Sequence, residues 1–386
     1  MHIGLAGPVD LAPLAEYLPG PLPEVYSFGF IGWLARSWLE AGHSVTVYAL
    51  SPAVRERQTH GTGDPLRVVV VPQRPGGRHR LGDFFRAERL GLTAAMLDHP
   101  AEVISAHWTY EFALAAEATG LPAFVTAHDT PLRYAWEMRS AYRWLRHSLA
   151  LPAVHRATAL SAVSPYVAQH LQRCLGVRRD IEVIPNGVPL GDLPFADKPR
   201  ETRTPVFASA LQGWGPLKNG KGLLRAFRLA REQFPGARLL MFGDGFGPDG
   251  PAARWAARER LNAGVDFVGA TERSVMLRRF SEEVDVLVHP SRVECFPMTL
   301  VETMAVGIPL VAGTHSGGVP WLLDGGLAGV LTDVDNPAKL AAAMSDLACD
   351  QVRRTRLVEV ARDRVSAHFQ IHDVARAYVD WFSTVG

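Results

Sequence analysis

Along the first half of the chain, short apolar runs rich in β-branched residues alternate with longer segments of helical spacing. The runs are IGLAG, HSVTVYAL, LRVVVVP, AEVISAH, AFVTAHD, ALSAVS and IEVIP, and FIGWLARSWLEAG between the first two carries its apolar residues at helical intervals. Runs without polar alternation, separated by helices, predict strands covered on both faces in a parallel sheet. After the turn-forming Pro185-Asn186-Gly187 comes the polar stretch ADKPRETRTP, read as a linker, and the same alternation then begins again. VFASAL, ARLLMFG, VDFVG, VDVLVHPS, IPLVAG and AGVLTDV are expected strands, with helices over 222–234, near 251–262 and from about Pro297. From Ala338 onward helical spacing dominates, and the terminal IHDVARAYVDWFSTVG is expected to cross back onto the first half.

This pattern predicts an α/β chain of two Rossmann-like, doubly wound parallel-sheet domains facing a central cleft. One is expected to comprise 1–190 plus 370–386, the other 191–369. A length of 386 residues suits two cores better than one. Open α/β sheets bind ligands beyond the carboxyl ends of their strands, so a cleft enzyme is the natural expectation.

Charge changes the picture mainly by exclusion. With 40 Lys and Arg against 39 Asp and Glu there is no electrostatic case for nucleic acid as a partner. The three cysteines, Cys174, Cys295 and Cys349, have neither disulfide-framework nor metal-ligand spacing. The opening MHIGLAGP has no Lys or Arg before its apolar residues and reads as a first strand, and no apolar run approaches the roughly 20 residues of a membrane span. A cytoplasmic protein is expected. The basic and aromatic stretch from Arg133 to His147 offers either a packed helix, an acceptor site or a weak peripheral contact at the inner membrane surface.

The segment richest in chemistry runs from His289 to Pro309. Glu294 falls in a loop after a strand, the chain turns through Pro297, and Glu302 lies in a short helix that stops at Gly307-Ile308-Pro309. The first peptide N–H groups of a helix lack intrahelical acceptors and sit at its positive end, so a phosphate fits beside Glu294. One carboxylate can then hold sugar hydroxyls and the other a ribose.

Here the sequence resembles the retaining glycosyltransferases of family 4, which have the GT-B architecture of two Rossmann-like domains. Their Glu-x7-Glu motif is matched by Glu294 and Glu302 within SRVECFPMTLVETMAVGIPLVA. The resemblance implies that Glu294 contacts the donor sugar, Glu302 the nucleotide ribose, and the backbone of Cys295, Phe296, Pro297, Met298 and Thr299 the phosphates. It further implies a lysine on the donor diphosphate, for which Lys221, before Gly222, and Lys218 compete. Gly243 in Gly243-Asp244-Gly245-Phe246-Gly247 is expected to let backbone approach the nucleotide, and Val268, Thr271 and Arg273 to contact base or ribose. In the first half, His128 resembles the active-site histidine, while His107 is expected to be structural. Gly29, in Tyr26-Ser27-Phe28-Gly29-Phe30, resembles a glycine-rich loop near donor and acceptor.

Two departures stand out. No Arg occurs between Ala208 and Gly220, where the resemblance implies one before the lysine, and Trp321 replaces an acid at the end of Ser316-Gly317-Gly318-Val319-Pro320. Asp333-Val334-Asp335 superficially matches a metal motif but reads as a helix-start loop, so no metal or other cofactor is expected.

The expected reaction is retaining transfer of a sugar from a UDP- or GDP-sugar to a hydroxyl of a saccharide, lipid-linked glycan or small metabolite. Same-face attack assisted by the leaving phosphate is implied, with Glu294 and His128 as the catalytic residues. The alternatives are a sugar-nucleotide 2-epimerase and a non-catalytic nucleotide-sugar binding protein. A nicotinamide dehydrogenase fits poorly, because no complete Gly-x-Gly-x-x-Gly follows the first strand.

Overall fold

A computed structural model describes residues 1–191, 193–196 and 204–384, with backbone only at 77 and 78. Positions 197–203 of the expected linker lie outside the described residues. The chain divides into two compact units: unit 1 is Met1–Pro189 with Ile371–Gly386, and unit 2 is Leu190–Gln370.

Unit 1 contains β1 (His2–Ala6), β2 (Ser44–Ser51), β3 (Gln58–His60), β4 (Leu66–Pro72), β5 (Val103–His107), β6 (Ala123–Ala127), β7 (Ala159–Ala162) and β8 (Glu182–Val183). They form one sheet in the order β3-β4-β2-β1-β5-β6-β7-β8. Every neighbouring pair is parallel except β3 with β4. The expectation of parallel strands alone therefore needs correcting at this edge. The connection from His60 to Leu66 is too short for a parallel crossover, and Gly61 and Gly63, at φ +78° and +96°, reverse the chain instead.

Unit 2 contains β9 (Val206–Ala210), β10 (Arg238–Phe242), β11 (Val265–Gly269), β12 (Val286–His289), β13 (Leu310–Gly313) and β14 (Val330–Thr332). Their order is β11-β10-β9-β12-β13-β14, and all pairs are parallel. Phe207, Leu239, Met241, Val286 and Val288 join Leu223, Phe227, Leu340 and Met344 of the flanking helices in one buried core. In each sheet the direction of winding reverses once, between β1 and β5 and between β9 and β12. Such reversals leave the loops at the carboxyl ends splayed apart, where ligands bind.

The chain returns to unit 1 at Ile371, whose N–H donates to the Val188 carbonyl at 3.1 Å. Gly187 permits the approach, since a Cβ there would lie 2.7 Å from Ile371 Cα. The terminal helix Ile371–Phe382 then packs on the helix Gly29–Glu40 and on β6. Trp38 donates through Nε1 to the Ala375 carbonyl at 3.0 Å, and Phe124 meets Trp381 and Phe382 edge-on. No helix among the described residues is long and apolar enough to cross a membrane.

Candidate active site

In unit 2 the loops after β9 and β12 are pinned to each other. Pro216–Lys218 forms one 3-10 turn. The Arg292 peptide N–H donates to the Leu217 carbonyl at 2.8 Å, and its guanidinium donates to the Pro216 carbonyl at 2.6 Å and to Asp335 Oδ1 at 2.5 Å. Asn219, at φ 52°, starts the helix Gly220–Gln233 and donates through Nδ2 to the Val334 carbonyl at 2.7 Å. Lys218 is thereby directed at the β12 loop, where its Nζ donates to Glu294 Oε1 at 2.6 Å.

His289, the last residue of β12, meets the same Glu294 oxygen through Nε2 at 3.2 Å. The Gly318 N–H holds the Glu294 carbonyl at 2.8 Å. Burial alone pushes the Glu294 carboxyl up, but the Lys218 charge and the His289 hydrogen bond outweigh it and hold the pKa at about 2. Glu294 is therefore an ionised carboxylate with one oxygen engaged by two donors.

Pro297 precedes the helix Met298–Val306, which ends at Gly307 in the left-handed region, φ 92°. Glu302 lies in this helix, and Arg273 donates through Nε to its Oε1 at 2.5 Å. Burial pushes the Glu302 carboxyl up, and Arg273 opposes the shift without overcoming it. Cys295 and Phe296 are buried. The Phe296 ring packs against Trp321 at 6.2 Å and Phe369 at 5.5 Å, and Arg364 donates to the Trp321 and Leu322 carbonyls at 2.7 and 2.8 Å. Trp321, where an acid was implied, thus braces the turn that opens the helix.

Other expected donor residues are placed apart from this group or are occupied locally. Lys221 is exposed, with Nζ 5.4 Å from the Trp255 ring centroid, so the structure brings Lys218 and not Lys221 to Glu294. The turn of Asn219 separates the two lysines and sends them to different neighbours. Gly243, at φ +109°, permits a close approach to the Leu211 carbonyl, 2.0 Å from where a Cβ would stand. Val268 is half-buried in β11, and Thr271 Oγ1 donates to the Gly269 carbonyl at 3.2 Å. Asp333 pairs with Lys339 and Asp335 with Arg292, and Asn336 caps the helix Pro337–Cys349 by accepting from the Ala338 and Lys339 N–H groups.

Unit 1 gathers a second group at the carboxyl ends of β5 and β6. His107 Nδ1 and His128 Nε2 share a hydrogen bond of 2.8 Å, and Ser105 Oγ lies 3.3 Å from His107 Nε2. Trp108, at φ 67°, stacks on His128 at 4.3 Å, while Phe28 and Phe30 contact the His128 ring from the segment around Gly29. Burial drives both imidazoles toward the neutral form, His107 to about 3 and His128 well below its ordinary value, with His107 adding to the shift at His128. His107 is thus the direct partner of His128. A Cβ on Gly29 would meet nothing within 4 Å, so packing within unit 1 does not account for that glycine.

Sequence reasoning missed His289 and Asp129. His289 closes a strand five residues before Glu294, the kind of position from which a side chain reaches the carboxyl-end loops. Asp129 directly follows His128 and accepts the Tyr110 hydroxyl at 2.7 Å. Unit 2 therefore sets an ionised carboxylate, an ammonium group and the start of a helix side by side, an arrangement suited to a ligand with hydroxyls at one end and phosphates at the other.

A family model described as Glycosyltransferase Family 4 matches residues 31–192, and one described as Glycosyl transferases group 1 matches 202–350. The glycogen synthase of Mycobacterium tuberculosis is 26% identical over 369 residues, covering 89% of this chain and 87% of that protein. Sucrose-phosphate synthase from Thermosynechococcus elongatus superposes with a TM-score of 0.78 at 18% identity, covering 100% of this chain and 99% of the other. Anabaena HepE, solved in complex with UDP-glucose, superposes with a TM-score of 0.70 at 18% identity over 100% of both chains.

Proposed function

We propose, from the premise that this chain belongs to the GT-B glycosyltransferases with Family 4 and group 1 domains, that it transfers a sugar from a nucleoside diphosphate to an acceptor hydroxyl with retained configuration. The chain is a glycosyltransferase related to glycogen synthase and sucrose-phosphate synthase. The observation that carries the finer reading is the Lys218–Glu294 pair at 2.6 Å beside the start of the helix that bears Glu302.

In this reading unit 2 binds the donor. Lys218 has three N–H donors, enough to hold Glu294 and a phosphate oxygen together. As the glycosidic bond to phosphate breaks, charge grows on the leaving diphosphate, so Lys218 and the N–H groups of Met298 and Thr299 stabilise the transition state more than the ground state. That positive charge comes from the protein itself, and we propose a reaction with no metal requirement. The second Glu294 oxygen accepts sugar hydroxyls, and Glu302 accepts from the ribose. His128, neutral and braced by His107, is the catalytic residue proposed in unit 1, and the departing phosphate takes the acceptor proton on the same face.

The UDP-glucose complex of HepE makes a UDP-sugar the first donor to test, with GDP-sugars beside it. The acceptor is a hydroxyl of a saccharide, a lipid-linked glycan or a small metabolite. The exposed Trp136 and Trp144 favour weak peripheral contact with a cytoplasmic membrane surface. The test is thermal shift against UDP- and GDP-sugars, followed by mass and NMR analysis of the products. Transfer with an α-linked product from an α-linked donor supports the reading. A free or rearranged sugar in place of a new glycoside, with acceptors supplied, overturns it.

A further inference from the structure

The hydrogen bond between His107 and His128 is the outer part of a longer chain. Ser105 and His107 stand two residues apart on β5, so their side chains leave the sheet on the same face. Ser105 Oγ lies 3.3 Å from His107 Nε2, and His107 Nδ1 lies 2.8 Å from His128 Nε2. Ser105 and His107 are fully buried, and His128 is 8% exposed. Gly7, just after β1, makes room for the first ring, since a Cβ there would stand 3.2 Å from His107 Cβ. The Trp108 N–H donates to the Thr126 carbonyl at 2.9 Å and the Trp108 ring stacks on His128 at 4.3 Å, so the two strand ends hold the rings in place. The chain of bonds ends at His128 Nδ1, which is buried and has no partner among the described residues.

The direction in which the protons point follows from counting donors. Burial keeps both imidazoles neutral, so each ring has one N–H and one bare nitrogen. Two arrangements satisfy the contact between the rings. In the first, the Ser105 hydroxyl donates to His107 Nε2, His107 Nδ1–H donates to His128 Nε2, and the His128 proton sits on Nδ1. In the second every bond is reversed, and His128 Nδ1 is bare. Ser105 Oγ has no other hydrogen-bond partner among the described residues, so the reversed order leaves its O–H buried with nothing to bond. A buried donor without an acceptor bears the full cost of its lost hydration. The first order uses every inner donor and leaves over only the N–H at the open end.

We infer that Ser105 is a positioning residue for the transfer reaction: acting through His107, it fixes His128 as a hydrogen-bond donor at Nδ1. A ring held in this way offers an N–H to a ligand oxygen and keeps no free lone pair with which to take a proton from a hydroxyl. The part played by that N–H in transfer rests on the glycosyl-transfer reading, whereas the order of the protons does not.

The test is NMR of the full chain carrying nitrogen-15 in its histidine rings, where protonated and bare ring nitrogens give separate signals, assigned with His107→Gln and His128→Gln. Beside it, kcat and donor Kd are measured with the UDP- or GDP-sugar that binds. In the parent protein both rings are expected to carry the proton on Nδ1. Ser105→Ala removes the bias, so a signal from the Nε2–H form of His128 is expected to appear, with kcat lowered by about threefold to thirtyfold and donor Kd within about twofold. Ser105→Thr keeps the hydroxyl and is expected to recover both the parental signals and most of the parental kcat, which a role in packing alone would not do. A bare Nδ1 on His128 in the parent overturns the inference, and so do unchanged proton positions in Ser105→Ala or a kcat that stays low in a folded Ser105→Thr. Where Ser105→Thr does not fold, the parent and Ser105→Ala spectra decide alone. The expected protons in a protein that binds no nucleotide sugar and glycosylates nothing overturn the glycosyl-transfer reading instead, and the proton order stands.

Discussion

Lys218 Nζ and Glu294 Oε1 are joined at 2.6 Å across two loops that Arg292 ties together, so the cation and the carboxylate are fixed relative to each other. Removing the ammonium takes charge from the place where the leaving diphosphate develops it. Lys218→Ala is expected to lower kcat by roughly 10²–10³-fold, the range for loss of one transition-state donor. Lys221→Ala, which removes only a contact with Trp255, is expected to stay within about threefold. Steady-state kinetics on the two variants side by side decides between the lysines, and equal losses would remove Lys218 from its role.

Glu302 faces two demands, because burial raises its pKa and Arg273 opposes the rise. Arg273→Ala removes the opposition, so the carboxyl protonates at a higher pH than in the parent protein. A protonated Glu302 accepts ribose hydroxyls less well. UDP affinity, measured by calorimetry between pH 8 and 5, is therefore expected to fall at a higher pH in Arg273→Ala. Superimposable pH profiles would detach Glu302 from the nucleotide.

Acid should unfold unit 1 through its paired imidazoles. His107 is held neutral in the fold, with a pKa near 3 against 6.5 for the ordinary group. Between those values the unfolded chain binds a proton that the folded chain does not, so stability falls as pH drops from 6.5 toward 3. The slope from one such group is about 1.4 kcal/mol per pH unit. His107→Gln is expected to flatten the dependence of urea midpoint on pH between 6.5 and 5. Glu294, depressed to about 2 from 4.5, loses its contribution only below pH 4.5.

Gly307 ends the Glu302 helix at φ 92°, and a Cβ there would stand 2.3 Å from an Arg362 nitrogen that donates to the Ala196 and Val306 carbonyls. Gly307→Ala combines left-handed strain with displacement of that guanidinium. A loss of about 1–3 kcal/mol in urea unfolding is expected.

The strands and the helix that carries Glu302 were legible because each rests on local pattern: continuous apolar runs, a proline entry and a glycine stop. The partner of Glu294 was not. Lys218 and Lys221 are three residues apart on the chain, and the choice between them depends on the left-handed Asn219 and its bond to Val334, far away in sequence. His289 and Asp129 escaped for a related reason, since a strand-end histidine or aspartate gains meaning only from what the neighbouring loop delivers. His107 was read as structural, and its hydrogen bond to His128 depends on two parallel strands lying side by side.

The short antiparallel strand β3 has a consequence unrelated to catalysis. It covers one edge of β4, pairing Gln58, Thr59 and His60 with Val70, Val69 and Val68. Without it, the run Val68-Val69-Val70-Val71 would border the sheet as an open, apolar template for another chain. Its own outer residues Gln58 and Thr59 are exposed and polar. A lesion such as Thr59→Pro, which uncovers that edge, is therefore expected to appear first as turbidity and loss of monodispersity at high protein concentration.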